Sequence, residues 1–170
     1  HAFKTTVFTD NDFNRDQGNI SGNLYVVGGG DPGFNTERLW LLVEQLVHNG
    51  IRNVSGDVIL DDSYFDSLSL GPGYEADGTS RSYLAPVGAL SASYNSIAVH
   101  VRPGAKPGSP VHVTIFPGLK GVKLHNVAKT VSSGKRAALD IKTEPDNTGM
   151  KVIVTGTMGI HDKPRYVYRK

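Results

Sequence analysis

Residues 23–50 read NLYVVGGGDPGFNTERLWLLVEQLVHNG, and they place three kinds of local structure in one run. Asn23 to Val27 is rich in β-branched and aromatic residues and reads as a strand. Gly28 to Gly33 (GGGDPG) ends it with residues that favour tight turns. Leu39, Leu42, Val43, Leu46 and Val47 then recur at helical spacing, with Trp40 widening the apolar stripe. Thr36 is a candidate cap, Glu37 suits the first turn, and Asn49-Gly50 suits the end. Val58-Ile59-Leu60 follows as a second strand. Strand, helix and strand over this distance form a crossover unit on a sheet.

Upstream, Phe3, Thr5 and Val7 give a strand-like alternation that the chain enters at His1, without an initial Met. The N-terminus is therefore expected to be cut. Downstream, residues 67–83 read as a long Gly/Ser/Pro-rich loop. Ile97, Val99 and Val101 alternate with Ala98, His100 and Arg102, as in a half-buried strand. Pro103-Gly104 to Pro107-Gly108-Ser109-Pro110 is the best boundary candidate. Beyond it, Val111-Val113-Ile115, Leu139-Ile141, Val152-Val154 and Val167 all read as β. The expected fold is α+β: a small α/β domain with one main helix on a sheet over 1–104, then an all-β, sandwich-like domain over 105–170.

The 170 residues, 38% hydrophobic and 20% charged, suit one ordinary domain or two small ones and give no sign of disorder. The longest apolar run, Leu39 to Val43, is too short to span a bilayer, and no signal-peptide pattern is visible. The absence of cysteine excludes disulfides, thiolate metal sites and cysteine nucleophiles. The net charge of +2 conceals an asymmetry. Residues 1–119 hold 7 Lys/Arg against 12 Asp/Glu, a balance of −5, and residues 120–170 hold 11 against 4, a balance of +7. A basic second unit could meet an anionic polymer or membrane surface, although a solvated lysine-rich face needs no partner.

Several short patterns offer chemistry. The GGGDPG run could cradle a phosphate ahead of a helix, but no Lys-Ser/Thr follows it and proline breaks the dinucleotide spacing, so a tight turn is the better reading. Asp10, Asp12, Asn14 and Asp16 alternate as in a calcium loop, yet Arg15 and Ser21 replace the turn glycine and the terminal glutamate. The histidines (1, 48, 100, 112, 125, 161) show no zinc spacing. Asp61-Asp62 could supply an acid, but adjacent side chains on extended chain point apart. No cofactor or metal is expected.

The stretch KTVSSGK (129–135) holds Ser132-x-x-Lys135 and Lys129-Thr130, and Ser93-Tyr94-Asn95 fits Ser-x-Asn. These imitate the three signatures of penicillin-binding proteins and serine β-lactamases. The chemistry needs Ser and Lys one helical turn apart so that the amine can take the hydroxyl proton. Gly134 between them weakens a helix. Val127 and Val131 before, with Leu139 and Ile141 after, favour two strands joined by a Ser-Ser-Gly turn.

Three longer stretches carry more information: GNLYVVGGGDPGF (22–34), GDVILDDSYFD (56–66) and YLAPVGALSASYNSIAVHVRPG (83–104). In order and spacing they resemble the D-alanyl-D-alanine carboxypeptidases/endopeptidases of the low-molecular-mass class C penicillin-binding proteins. The similarity is strong to about residue 104 and weaker through HNVAKTVSSG and VIVTGT. It implies that this region is the accessory insert of that family, a small α/β domain interrupted by a β domain. In the family, Ser-x-x-Lys precedes the insert, and Ser-x-Asn and Lys-Thr-Gly follow it. The lookalikes here run in another order, so the resemblance assigns no catalytic residue.

The implied function is that of a non-catalytic accessory fragment of a serine-type peptidase acting on peptidoglycan outside the cytoplasm. Its expected partners are the catalytic domain of the same longer chain and peptidoglycan or another anionic envelope polymer, with no nucleic acid. A stand-alone envelope-binding module is the alternative, and a compact hydrolase using Ser132 and Lys135 the third reading. The resemblance also implies that the chain returns to the α/β domain after the β domain. This sequence stops at Lys170 before doing so, and an exposed apolar face or edge is expected on the first domain.

Overall fold

A computed structural model describes residues 3–11, 13–14, 16–71, 73, 81–132, 138–147 and 149–170. The chain forms two compact units, His1–Gly73 with Pro86–Asn95, and Tyr74–Ala85 with Ser96–Lys170. This division lies ahead of the Pro103–Pro110 run, because the strand holding Ile97, Val99 and Val101 pairs with strands of the second unit on both sides.

In the first unit, β1 (Thr6–Thr9), β4 (Leu24–Val27) and β6 (Val58–Asp61) form one sheet in the order β1-β4-β6. β1 runs antiparallel and β6 parallel to β4. The short strands β2 (Phe13–Asn14), β3 (Asn19–Ile20) and β5 (Asn53–Val54) form a second sheet in the order β2-β3-β5. The helix α1 (Thr36–His48) supplies the crossover between the parallel strands β4 and β6, as the 23–50 run predicts. Its N-cap is Asn35 rather than Thr36: the Asn35 Oδ1 accepts the Arg38 N–H at 3.0 Å. Asn outranks Thr as an N-cap. Asp31 strengthens this end, accepting the Gly33 N–H and pairing with Arg38 at 2.7 Å.

No residue of α1 is fully buried. Leu42 and Leu46, one turn apart, are half-buried, while Leu39, Trp40, Leu41, Val43 and Val47 are exposed, Trp40 by 60%. On the sheet, Phe8, Val58 and Leu60 are also exposed, Leu60 by 68%. An apolar stripe of this kind ordinarily faces a core.

The second unit is a sandwich. One sheet runs β13-β7-β8, from β13 (Arg165–Arg169), β7 (Ile97–Arg102) and β8 (His112–Phe116), all antiparallel. The other is built on β12 (Gly149–Gly159). β11 (Ala138–Asp146) pairs antiparallel along one edge, and β9 (Val122–Asn126) and β10 (Lys129–Val131) pair parallel along the rest. Val99 and Val101 from one sheet, with Val152, Val154 and Met158 from the other, have no exposed surface and share one core. Each such side chain stabilises the fold by roughly 1.5–3 kcal/mol. Gly156 sits at φ 92° opposite Leu139, and a Cβ there would strike the Ala138 carbonyl.

β10 and β11 are strands, as KTVSSGK and its flanks predict, but they do not form a hairpin. The long β12 lies between them. Thr130 is the only fully buried polar side chain among the described residues. Its hydroxyl accepts the Gly104 N–H at 2.8 Å, and its backbone bonds Gly108 and Ser109, so the 103–110 loop is tied to β10. Thr130→Val keeps the shape and removes the acceptor. It is expected to destabilise the second unit by about 1–3 kcal/mol in chemical denaturation, the cost of an orphaned buried N–H.

Candidate functional site

The residues singled out by the sequence mostly serve the fold. Gly28 and Gly30 in the GGGDPG turn direct their N–H groups to the carbonyls of Asp61 and Ala89, at 3.0 and 2.8 Å. A Cβ on Gly28 would collide with Ala89, and one on Gly30 with the Phe65 ring. The glycines thus allow close backbone packing, and these N–H groups are not available to an anion.

In the calcium-like stretch, both Asp10 oxygens accept hydrogen bonds, from the Asn23 backbone and side chain and from the Tyr25 hydroxyl. Asn14 accepts from the Gln17 N–H, and Asp12 and Arg15 lie outside the described residues. Among the described residues no group of three or more His, Cys, Asp or Glu side chains gathers to hold a metal. His48 ends α1. His100 lies on β7, His112 on β8, His125 on β9 and His161 in a turn after β12; His1 lies outside the described residues.

Asp61 and Asp62 also have separate tasks. The Ser63 hydroxyl and N–H hold the Asp61 carboxyl below its usual range, so it stays ionised and is poorly suited to donate a proton at neutral pH. Asp62 accepts the Leu90 N–H.

Ser93-Tyr94-Asn95 forms a short left-handed turn, with φ of 50°, 57° and 48°. The Ser93 hydroxyl meets that of Thr36 at 3.2 Å and its N–H bonds Phe34. The Asn95 amide bonds Pro86 and Ser91. These contacts anchor the start of α1 and the 86–95 loop. Ser93 and Asn95 belong to the first unit, whereas Lys129, Thr130 and Ser132 belong to the second. Ser132 follows β10 and is exposed. Lys135 lies outside the described residues, so no Ser–Lys geometry is on view.

A different surface emerges from the strand registers. On the outer face of the β13-β7-β8 sheet, one row holds Tyr168, Ala98 and Phe116. The next holds Tyr166, His100 and Thr114, and a third Arg102 and His112. Tyr166, Tyr168 and Phe116 are 67%, 56% and 59% exposed. His100 stacks on Tyr166 at 4.3 Å between ring centroids. Apolar periodicity does not reveal this face, because it reports the inward residues; the signal in the sequence is the alternating Tyr166-Val167-Tyr168.

Comparison with known proteins gives a consistent picture. A family model described as the D-Ala-D-Ala carboxypeptidase 3 (S13) family matches residues 1–170. The D-alanyl-D-alanine carboxypeptidase of Actinomadura sp. (strain R39) is 30% identical over 164 residues, covering 93% of this chain and 30% of that protein. The D-alanyl-D-alanine carboxypeptidase DacB of Haemophilus influenzae is 30% identical over 98 residues, 58% of this chain and 20% of that protein. The crystal structure of penicillin binding protein 4 (dacB) from Haemophilus influenzae superposes with a TM-score of 0.76 at 22% identity. That match covers 98% of this chain and 36% of the solved one. The chain thus spans less than a third of the length of these two sequence relatives.

Proposed function

The chain belongs to the D-Ala-D-Ala carboxypeptidase 3 (S13) family, and from that membership we propose that residues 1–170 form a non-catalytic accessory segment of a longer serine-type D-Ala-D-Ala carboxypeptidase or endopeptidase. The observation that carries this reading is the employment of the signature-like residues. Thr130 is buried against Gly104, and Ser93 and Asn95 hold a turn against Phe34, Thr36 and Pro86. A nucleophile and its base must meet each other and the substrate across a cleft. These side chains instead bond the backbone and hydroxyl groups around them.

In this reading the longer polypeptide hydrolyses a terminal D-Ala-D-Ala bond or a peptide crosslink of peptidoglycan through an acyl-enzyme, using a serine outside residues 1–170. Peptidoglycan places that work outside the cytoplasm, in the periplasm or cell envelope. Among the described residues no helix is long and apolar enough to cross a membrane. The exposed apolar flank of α1 is where the first unit is covered by further polypeptide of the same protein. Residues 1–170 incubated with a fluorescent penicillin are expected to stay unlabelled. Covalent labelling abolished by Ser132→Ala would instead establish the compact-hydrolase reading.

A further inference from the structure

We infer that the outer face of the β13-β7-β8 sheet binds an acidic glycan, a chain of pyranose sugars carrying occasional carboxylates. Side chains alternate across a strand, so Val99, Val101, Val113, Ile115 and Val167 turn to the core while Tyr166, Tyr168 and Phe116 stand outward. Tyr166 and Tyr168 are about 6–7 Å apart along β13, and Tyr168 and Phe116 lie two strands, about 9–10 Å, apart. Ala98 sits between the last two. Its small side chain leaves a shallow slot with an aromatic residue on either side.

The rings and the slot suit a sugar. A pyranose presents C–H bonds made electropositive by the neighbouring oxygens, and aromatic faces carry negative charge density. Among the outward rows there is no large aliphatic side chain to make a continuous apolar patch. The rows hold Ala98, Thr114, two histidines, Arg102 and the three aromatics.

Charge narrows the class of glycan. None of the outward positions on β13, β7 and β8 is Asp or Glu, and Arg102 beside His112 supplies exposed cationic character. The sequence from 120 to 170 is itself basic, with 11 Lys/Arg against 4 Asp/Glu. A nucleic acid carries a phosphate at every residue and is held by many cations. A face with one arginine and three rings fits a polymer whose sugars are mostly uncharged. The inference rests on the accessory-segment reading only for where such a polymer is met: glycan strands of peptidoglycan that have lost their stem peptides have this chemistry, with free carboxylates on alternate sugars.

The test is an amide NMR titration of residues 1–170 with glycan strands isolated from peptidoglycan and freed of their peptides. Shift changes are expected on β7, β8 and β13. The Phe116→Ala/Tyr168→Ala double variant, altered only at exposed positions, is expected to keep its amide dispersion and bind at least about tenfold more weakly. Arg102→Gln is expected to remove the preference for native over carboxyl-reduced strands. Unchanged affinity in the double variant, shifts confined to other strands, no binding, or tighter binding of single-stranded DNA would each overturn the inference. Failure of the accessory-segment reading is seen separately, as penicillin labelling at Ser132, and leaves the sugar titration as it was.

Discussion

Val154→Asp is expected to unfold the second unit. Val154 lies on β12 with no exposed surface, in the core shared by both sheets of the sandwich. The substitution replaces both methyl groups of the side chain with a carboxylate, at a place where nothing can hydrate it. The cost is expected to exceed about 4 kcal/mol, a large share of the roughly 5–15 kcal/mol that holds a domain folded. The check is amide NMR of residues 1–170. Signals of β7 to β13 should collapse to the dispersion of an unfolded chain, whereas Lys151→Gln on the outward face should leave them in place. A folded Val154→Asp variant would show that the two sheets do not share the core described.

Trp40→Ser is expected to be nearly silent in residues 1–170 and costly in the longer polypeptide. In residues 1–170 the side chain is 60% exposed, so its loss should change the stability of the first unit by less than about 1 kcal/mol. In the longer polypeptide the α1 flank is covered, on the proposed reading. There the same change should cost about 3 kcal/mol or more, as for truncation of a buried Trp. Denaturation of the two lengths, each with and without the substitution, measures the difference. Equal, small effects in both would mean that this flank is not where further polypeptide packs.

The contrast between α1 and β7 shows how far the sequence can be read. Both elements are legible from periodicity. For β7 the pattern also gave the packing, since Ile97, Val99 and Val101 are buried and the residues between them are not. For α1 it did not: Leu39, Val43 and Val47 recur at helical spacing yet stand in solvent. Periodicity reports that a face is apolar, not that the partner for it lies within the same residues.

Other elements are hidden for local reasons. In β9, Asn126 occupies one of the partly buried positions, bonding its amide to the Val111 carbonyl at 2.8 Å. Its polarity breaks the alternation that marks a strand. The residues of β2, β3 and β5 are too few for any period to show. The topology of β10 and β11 depends on pairing with β12, a contact far along the chain that no turn motif records. The candidate site divides in the same way. That KTVSSGK is part of a β unit was readable from its flanking valines. That Thr130 holds the 103–110 loop depends on a bond to Gly104 that only the fold reveals.

The proposed division of labour meets its most direct test in the location of the acyl group. The longer polypeptide would be incubated with a penicillin, digested, and the modified serine identified by mass spectrometry. The expected result is one acylated serine in a Ser-x-x-Lys sequence outside residues 1–170, with Ser93 and Ser132 unmodified. An acyl group on Ser132, or on any other serine within 1–170, would contradict the account.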